Sequence, residues 1–333
     1  MSASQGAVVR RTPGDPRIAV LVIVPVLATL LAAGLASAER QAGVRRLSAA
    51  EAERSGSKIQ LHSRTVGAAT LVEVEQPPDG MSLLAVADDG RAVALADRVG
   101  EASGVLTLAG ADGAQLQVPF AGLLAATYVA DGSWLAVVDG RGALWSVDAA
   151  SGHADLLADG PFVGSPVIDD DGSLLMLAVP SVEAPYQSHL VRLAPASGIA
   201  ESLSEAELVY AAFPLEVGDL AIVAHGVGGT SVRQLTAGGE RLLADLGMGA
   251  VNVAVAPDGL IAFERDGEGI FVVDASGSGP RSVGLGSRPC FGPDGSLMLV
   301  RRGSQRVALS IDGSVQAVAD GLAALVGSAG CLP

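Results

Sequence analysis

Two stretches decide the fold: APDGLIAFERDGEGIFVVDASG at residues 256–277 and GPDGSLMLVRRGSQRVALSIDG at 292–313. Each reads as a turn ending in Asp-Gly, an apolar run, a second turn and another apolar run. Asp-Gly supplies the positive φ of a tight turn between antiparallel strands, and the Asp side chain caps it. The same pattern recurs upstream as LLAVADDG-RAVALA, AATYVADG-SWLAVV, SPVIDDDG-SLLMLA and AFPLEVG-DLAIVA. The turn glycines are Gly90, Gly132, Gly172, Gly218, Gly259 and Gly295, spaced by 42, 40, 46, 41 and 36 residues. Each hairpin is followed by a third strand, such as ALWSVDAASG or HLVRLAPASG, and by a shorter fourth run. Four antiparallel strands about every 40 residues make one blade of a β-propeller.

These repeats, sharpest at 256–277 and 292–313, resemble those of TolB-like and related WD-repeat propellers, and the resemblance covers residues 81–321. LEVGD at 215–219 departs from the pattern by losing the Asp before Gly, and the Trp-Asp dipeptide is absent throughout. The resemblance implies an all-β propeller architecture and says little of function. Six whole repeats fill 81–321. The segments left over, 59–80 and 322–333, together make nearly one more repeat. LAALVGSAG could supply an inner strand to a blade completed by KIQLHSR and AATLVEVE. Closure by strands from both ends removes the open edge, so seven blades are expected, the last composite, with six as the alternative.

Ahead of residue 59 the chain is different. Residues 1–17 form a short tail. Ile18–Ala38, IAVLVIVPVLATLLAAGLASA, hold no charge and as a helix would span about 31 Å, the thickness of a hydrocarbon core. Two export readings stand. Ala36-Ser37-Ala38 fits signal-peptide cleavage before Glu39, whereas the apolar stretch is longer than a usual signal core and favours a retained transmembrane anchor. Residues 39–58 read as a polar linker with room for one short helix at 48–54, and 59–333 as the propeller. Arginines flank the apolar segment on both sides, so charge does not orient it. The size of the β domain places it outside the membrane.

Composition narrows the functions. The net charge is −15 and the acidic excess lies beyond the apolar segment, which excludes nucleic acid as a partner. His62, His153, His189 and His225 are scattered, without metal-ligand spacing. Asp169-Asp170-Asp171-Gly172 fails the EF-hand pattern, because Val167 stands where the first ligand belongs, and it occupies the repeat turn. On the inner strands only Asn252 and Arg288 stand out as polar. That pattern lacks the nucleophile–base or paired-carboxylate geometry of catalysis, so no enzyme, no catalytic residue and no cofactor is expected. Trp134 and Trp145 fall on adjacent strands of one blade, where packing between blades is the expected role. Glu183, Tyr186 and Gln187, in the long loop PSVEAPYQS at 180–188, are the candidate contact surface. Cys290 and Cys331 could meet across adjacent blades as a disulfide. The expectation is therefore an envelope-anchored scaffold that binds an envelope protein or a cell-wall glycan. The alternative is an extracytoplasmic propeller enzyme (a lactonase, lyase or glycoside-acting enzyme). A sensor passing a signal inward is disfavoured by the 17-residue tail.

Overall fold

The computed structural model describes residues 44–328, apart from 76, 78, 130–131, 170, 180–186, 195–198, 205–207, 217 and 275–278. The chain folds as a seven-bladed β-propeller. Blade 1 runs outward from its innermost strand as Met81–Val86, Ala92–Asp97, Gly104–Gly110 and Gln115–Phe120. Blade 2 is Leu123–Tyr128, Trp134–Asp139, Leu144–Asp148 and Ala154–Ala158. Blade 3 is Phe162–Ile168, Leu174–Ala178, His189–Ala194 and Ile199–Ser202. Blade 4 is Val209–Pro214, Leu220–Gly226, Gly229–Thr236 and Gly239–Gly247. Blade 5 is Ala250–Val255, Ile261–Arg265, Gly269–Val273 and Arg281–Gly284. Blade 6 is Ser287–Phe291, Leu297–Arg302, Gln305–Ser310 and Val315–Asp320.

Blade 7 is composite. Leu322–Leu325 forms its innermost strand and pairs with Ala69–Glu75, which pairs in turn with Gln60–Val66. Leu71 faces Leu325 across the joint and shares a core with Cys290, Leu297 and Leu299 of blade 6. The closure expected from the two leftover segments is the one observed.

The hairpin turns follow from their residues. Asp258 accepts from the Leu260 amide at 3.0 Å and Asp294 from the Ser296 amide at 3.1 Å. Gly259 and Gly295 take φ of 88° and 70°, a region closed to most side chains. In the triple-aspartate turn, Asp171 caps the Ser173 amide at 2.9 Å while Asp169 holds Arg192 at 2.6 Å. Both carboxylates thus serve the turn and its neighbouring strand.

Packing between blades supplies the core. Trp145 of blade 2 meets Phe120 of blade 1 edge-to-face, with centroids 6.3 Å apart, as befits the π-quadrupole. Its indole N–H donates to Asp139, which is 2% exposed and also takes the amides of Arg141 and Ala143. Phe263, fully buried between blades, stacks with Phe271 at 5.8 Å, and Arg265 lies over both rings.

Part of the segment read as a linker joins the sheet. Arg45–Leu47 pairs with Gln115–Gln117 as a fifth strand that covers the outer edge of blade 1. A helix follows at Ala49–Arg54, with Ser48 and Glu51 forming a capping box. Gln115 Nε2 donates to the Ser57 carbonyl at 2.6 Å, fastening the segment further. Ile18–Ala38 lies outside the described residues. Among the described residues no helix is long and apolar enough to cross a membrane.

Candidate functional site

The inner strands of blades 1 to 6 share a defect. Each pairs regularly with its second strand except near its start, where the register slips. The residues left in the bulges are Leu84, Leu124, Gly164–Pro166, Tyr210, Asn252–Val253 and Arg288–Pro289. A bulge bends its strand and re-aims a side chain. Here Leu84, Leu124, Ser165, Tyr210, Asn252 and Arg288, one from each blade, all line a central cavity of about 430 Å³. The start of each inner strand pairs with the end of the second, as in Phe162↔Ala178 and Ser287↔Arg301. The ring of bulges therefore lies at the end of the channel that also carries the second-to-third-strand connections. That end is the mouth, opposite the Asp-Gly turns.

Among the described residues only three non-glycines have positive φ: Arg98 at 57°, Asn252 at 49° and Arg288 at 49°. Such backbone is costly for a side chain as large as Arg, and in folded proteins it concentrates at functional sites. Asn252 and Arg288 occupy equivalent bulges in blades 5 and 6. Arg98 precedes Val99, which also lines the cavity.

The mouth has two chemical halves. Blades 1 to 3 present Leu84, Leu124, Leu177 and Val99 together with Ser165. Blades 4 to 6 present Tyr210, Asn252, Arg288 and Arg306. Glu264 holds this half together: its Oε2 accepts from Asn252 Nδ2 at 2.6 Å and from the Arg288 amide at 3.2 Å. Tyr210 hydrogen-bonds with Thr230, whose hydroxyl donates to the Ala250 carbonyl at 2.8 Å. Burial pushes the Tyr210 hydroxyl above its usual range, outweighing that hydrogen bond, so it stays protonated. Burial, with the like charges of Arg301 and Arg288, draws the Arg306 guanidinium below its usual value.

Around the mouth at blades 4 and 5, large apolar side chains reach solvent. Val227, in the second-to-third-strand turn of blade 4, is 105% exposed. Met248, in the connection to blade 5, is 73% exposed. Leu285, in the connection to blade 6, is 72% exposed, and Val251, beside Asn252, is 45% exposed.

Of the residues singled out in the sequence, Asn252 and Arg288 are brought together at the mouth. Gln187 is exposed next to the third strand of blade 3, in a connection on the mouth side. Glu183 and Tyr186 lie outside the described residues. Cys290 is buried on the inner strand of blade 6 and is disulfide-bonded. Cys331, the other cysteine of the sequence, lies outside the described residues. Tyr210, Ser165 and Arg306 were not legible as site residues. Tyr210 and Ser165 lie seven or eight positions before a turn glycine, as Asn252 and Arg288 do, and that shared position is the signal. Among the described residues no group of three His, Cys, Asp or Glu is placed to hold a metal ion.

Comparison with protein-family models and with curated proteins finds no match. Solved structures do match the fold. TolB from Acinetobacter baumannii has a TM-score of 0.55 at 16% identity, over 84% of this chain and 86% of its own. An oligogalacturonate lyase in complex with manganese also scores 0.55, at 13% identity over 83% and 85%. An oligogalacturonate lyase from Vibrio parahaemolyticus scores 0.53, at 12% identity over 79% and 84%. The exclusion of an enzyme is thereby corrected. The ring matches lyases as well as it matches TolB, so the architecture accommodates either role. Inner-strand residues alone do not make up the mouth. Glu264 comes from a second strand and Arg306 from a third, and both stand at the mouth.

Proposed function

We propose that the protein is a membrane-anchored, extracytoplasmic propeller that recognises an envelope protein at the mouth of its channel. The observation that carries this reading is the apolar rim of Val227, Met248, Val251 and Leu285, gathered at the end of the ring that holds the bulges. Exposed apolar side chains grouped beside a cavity mark interaction surfaces. The apolar run 18–38 supports anchoring. The disulfide bond at Cys290 supports an oxidising compartment.

The test is capture of the tagged full chain from its own membranes after cross-linking. The wild type is compared with Met248→Asp/Leu285→Asp and with Val315→Asp on the outer strand of blade 6. A protein lost only with the rim variant supports the reading. Equal capture by all three, or capture of nothing, overturns it. Placement is tested with a reporter active only outside the membrane, fused at residue 333. An inactive export reporter with an active cytoplasmic one refutes it.

A further inference from the structure

We propose that Arg288 and Arg306 form a carboxylate-binding subsite in the channel mouth, and that its ligand is an acidic side chain on an otherwise apolar peptide segment of the partner. The proposal rests on the mouth being the recognition surface and names the chemistry it recognises.

The first observation is convergence of like charge. Arg288 projects from the inner-strand bulge of blade 6 and Arg306 from the start of the third strand, and both line the same cavity. Arg301 lies directly opposite Arg306 in the antiparallel register. Like charges placed so are destabilising. Withdrawing a guanidinium from water beside them adds to that cost unless an anion compensates. Burial first, and the like charges of Arg301 and Arg288 second, hold the Arg306 guanidinium below its usual value.

The second observation is the missing counter-ion. Among the described residues no carboxylate pairs with the Arg288 or Arg306 side chain. The nearby acid, Glu264, turns its Oε2 to Asn252 and to the Arg288 backbone amide and makes no ion pair with either guanidinium. Some arginines elsewhere do have carboxylate partners, Arg64 with Glu73, Arg192 with Asp169 and Arg233 with Glu240; what sets Arg288 and Arg306 apart is that both line one cavity. The pair at the mouth is left open on the side that faces the cavity. The third observation is backbone. Arg288 is held in a left-handed conformation that a glycine would adopt at lower cost. Arginine at that position is explained by what its side chain meets in the channel.

The peptide class follows from the rest of the lining. Opposite the arginines stand Leu84, Leu124 and Leu177, and outside the mouth stand Met248 and Leu285. Aliphatic walls suit apolar side chains flanking an acid. A glycan would ask for exposed aromatic platforms, and Tyr210 is the one partly exposed aromatic of the lining.

The experiment is calorimetric titration of the full chain in detergent with three probes: the acetylated peptide amide Leu-Glu-Leu, its Leu-Gln-Leu counterpart, and digalacturonate. Charge-assisted pairing predicts that Leu-Glu-Leu binds ~10-fold more tightly than Leu-Gln-Leu. Arg306→Gln and Arg288→Gln should each erase most of that difference, while Arg281→Gln on the outer strand of blade 5 leaves it intact. Arg288 is solvent-exposed, so its variant tests the subsite even if Arg306→Gln misfolds. Equal binding of the two peptides, or an unchanged difference in the Arg288 variant, overturns the subsite. Tighter binding of digalacturonate overturns the peptide assignment. Partner capture that depends on Met248 and Leu285 but not on Arg288 would refute this inference alone and leave the mouth as the docking surface.

Discussion

Replacing Leu71 with Ala tests whether the ring is closed by both ends of the chain. Leu71 is fully buried on the middle strand of blade 7, opposite Leu325 and packed with Leu297 and Leu299 of blade 6. Truncation removes apolar contacts on both sides and leaves a cavity the β-sheet backbone cannot collapse into. Measured Leu→Ala losses in such settings put the cost at about 3 kcal/mol. For a body of this size that lowers the melting temperature by roughly 5 °C. The assay is urea and thermal unfolding followed by tryptophan emission. Trp134 and Trp145 both sit in blade 2, separated from the substitution by blade 1, so a shift in their transition reports more than the local joint. The control is Val315→Ala on the outer strand of blade 6, where the side chain is 52% exposed and the loss should stay within about 0.5 kcal/mol. A Leu71→Ala loss no larger than the control would refute the composite blade, because a strand outside the ring would tolerate the change.

Three further outcomes are expected. Asp139→Ala strips the acceptor from the Trp145 indole and from two backbone amides; it should destabilise by about 3 kcal/mol and red-shift tryptophan emission, and an unchanged spectrum with unchanged stability would count against the buried network. Asp312 accepts from Ser310 and Ser314, which holds its carboxyl down at about 2. Because the folded value lies below the unfolded one, its stabilising share is present above the ordinary carboxylate range and disappears as pH falls through about 2; a carbon-detected NMR titration with a midpoint near 4 would contradict this, and Ser310→Ala should raise the midpoint. Cys290→Ser should remove about 4 kcal/mol if a bond to Cys331 closes a loop of about 40 residues, and two thiol labels on the unfolded, unreduced wild type would rule the bond out.

Blade count was legible because the Asp-Gly turn is a local device: its chemistry is complete within four residues and recurs in five of the seven blades. Even the composite blade could be read, since an unclosed sheet leaves an edge that chains avoid. Arg45–Leu47 could not, because three residues with two charges carry no strand period and are ordered only by the edge of blade 1. The bulges were hidden for a similar reason. One extra residue in a run such as LLAATY leaves the apolar composition unchanged, and only the register against the second strand reveals it. Arg306 was missed because its place at the mouth depends on pairing with Arg301, a relation between strands.

Blade 7 also sets a timetable. Its middle and outer strands leave the ribosome first, and its inner strand arrives roughly 250 residues later, at about 5–20 residues per second. For that interval of ~10–50 s the strand at 69–75 has one unsatisfied edge, and blade 6, made last, meets a complete neighbour only when Leu322–Leu325 arrives. Any factor that shields an exposed strand during synthesis or transit has its substrate here, and a stop codon placed just before Leu322 would make that transient state permanent.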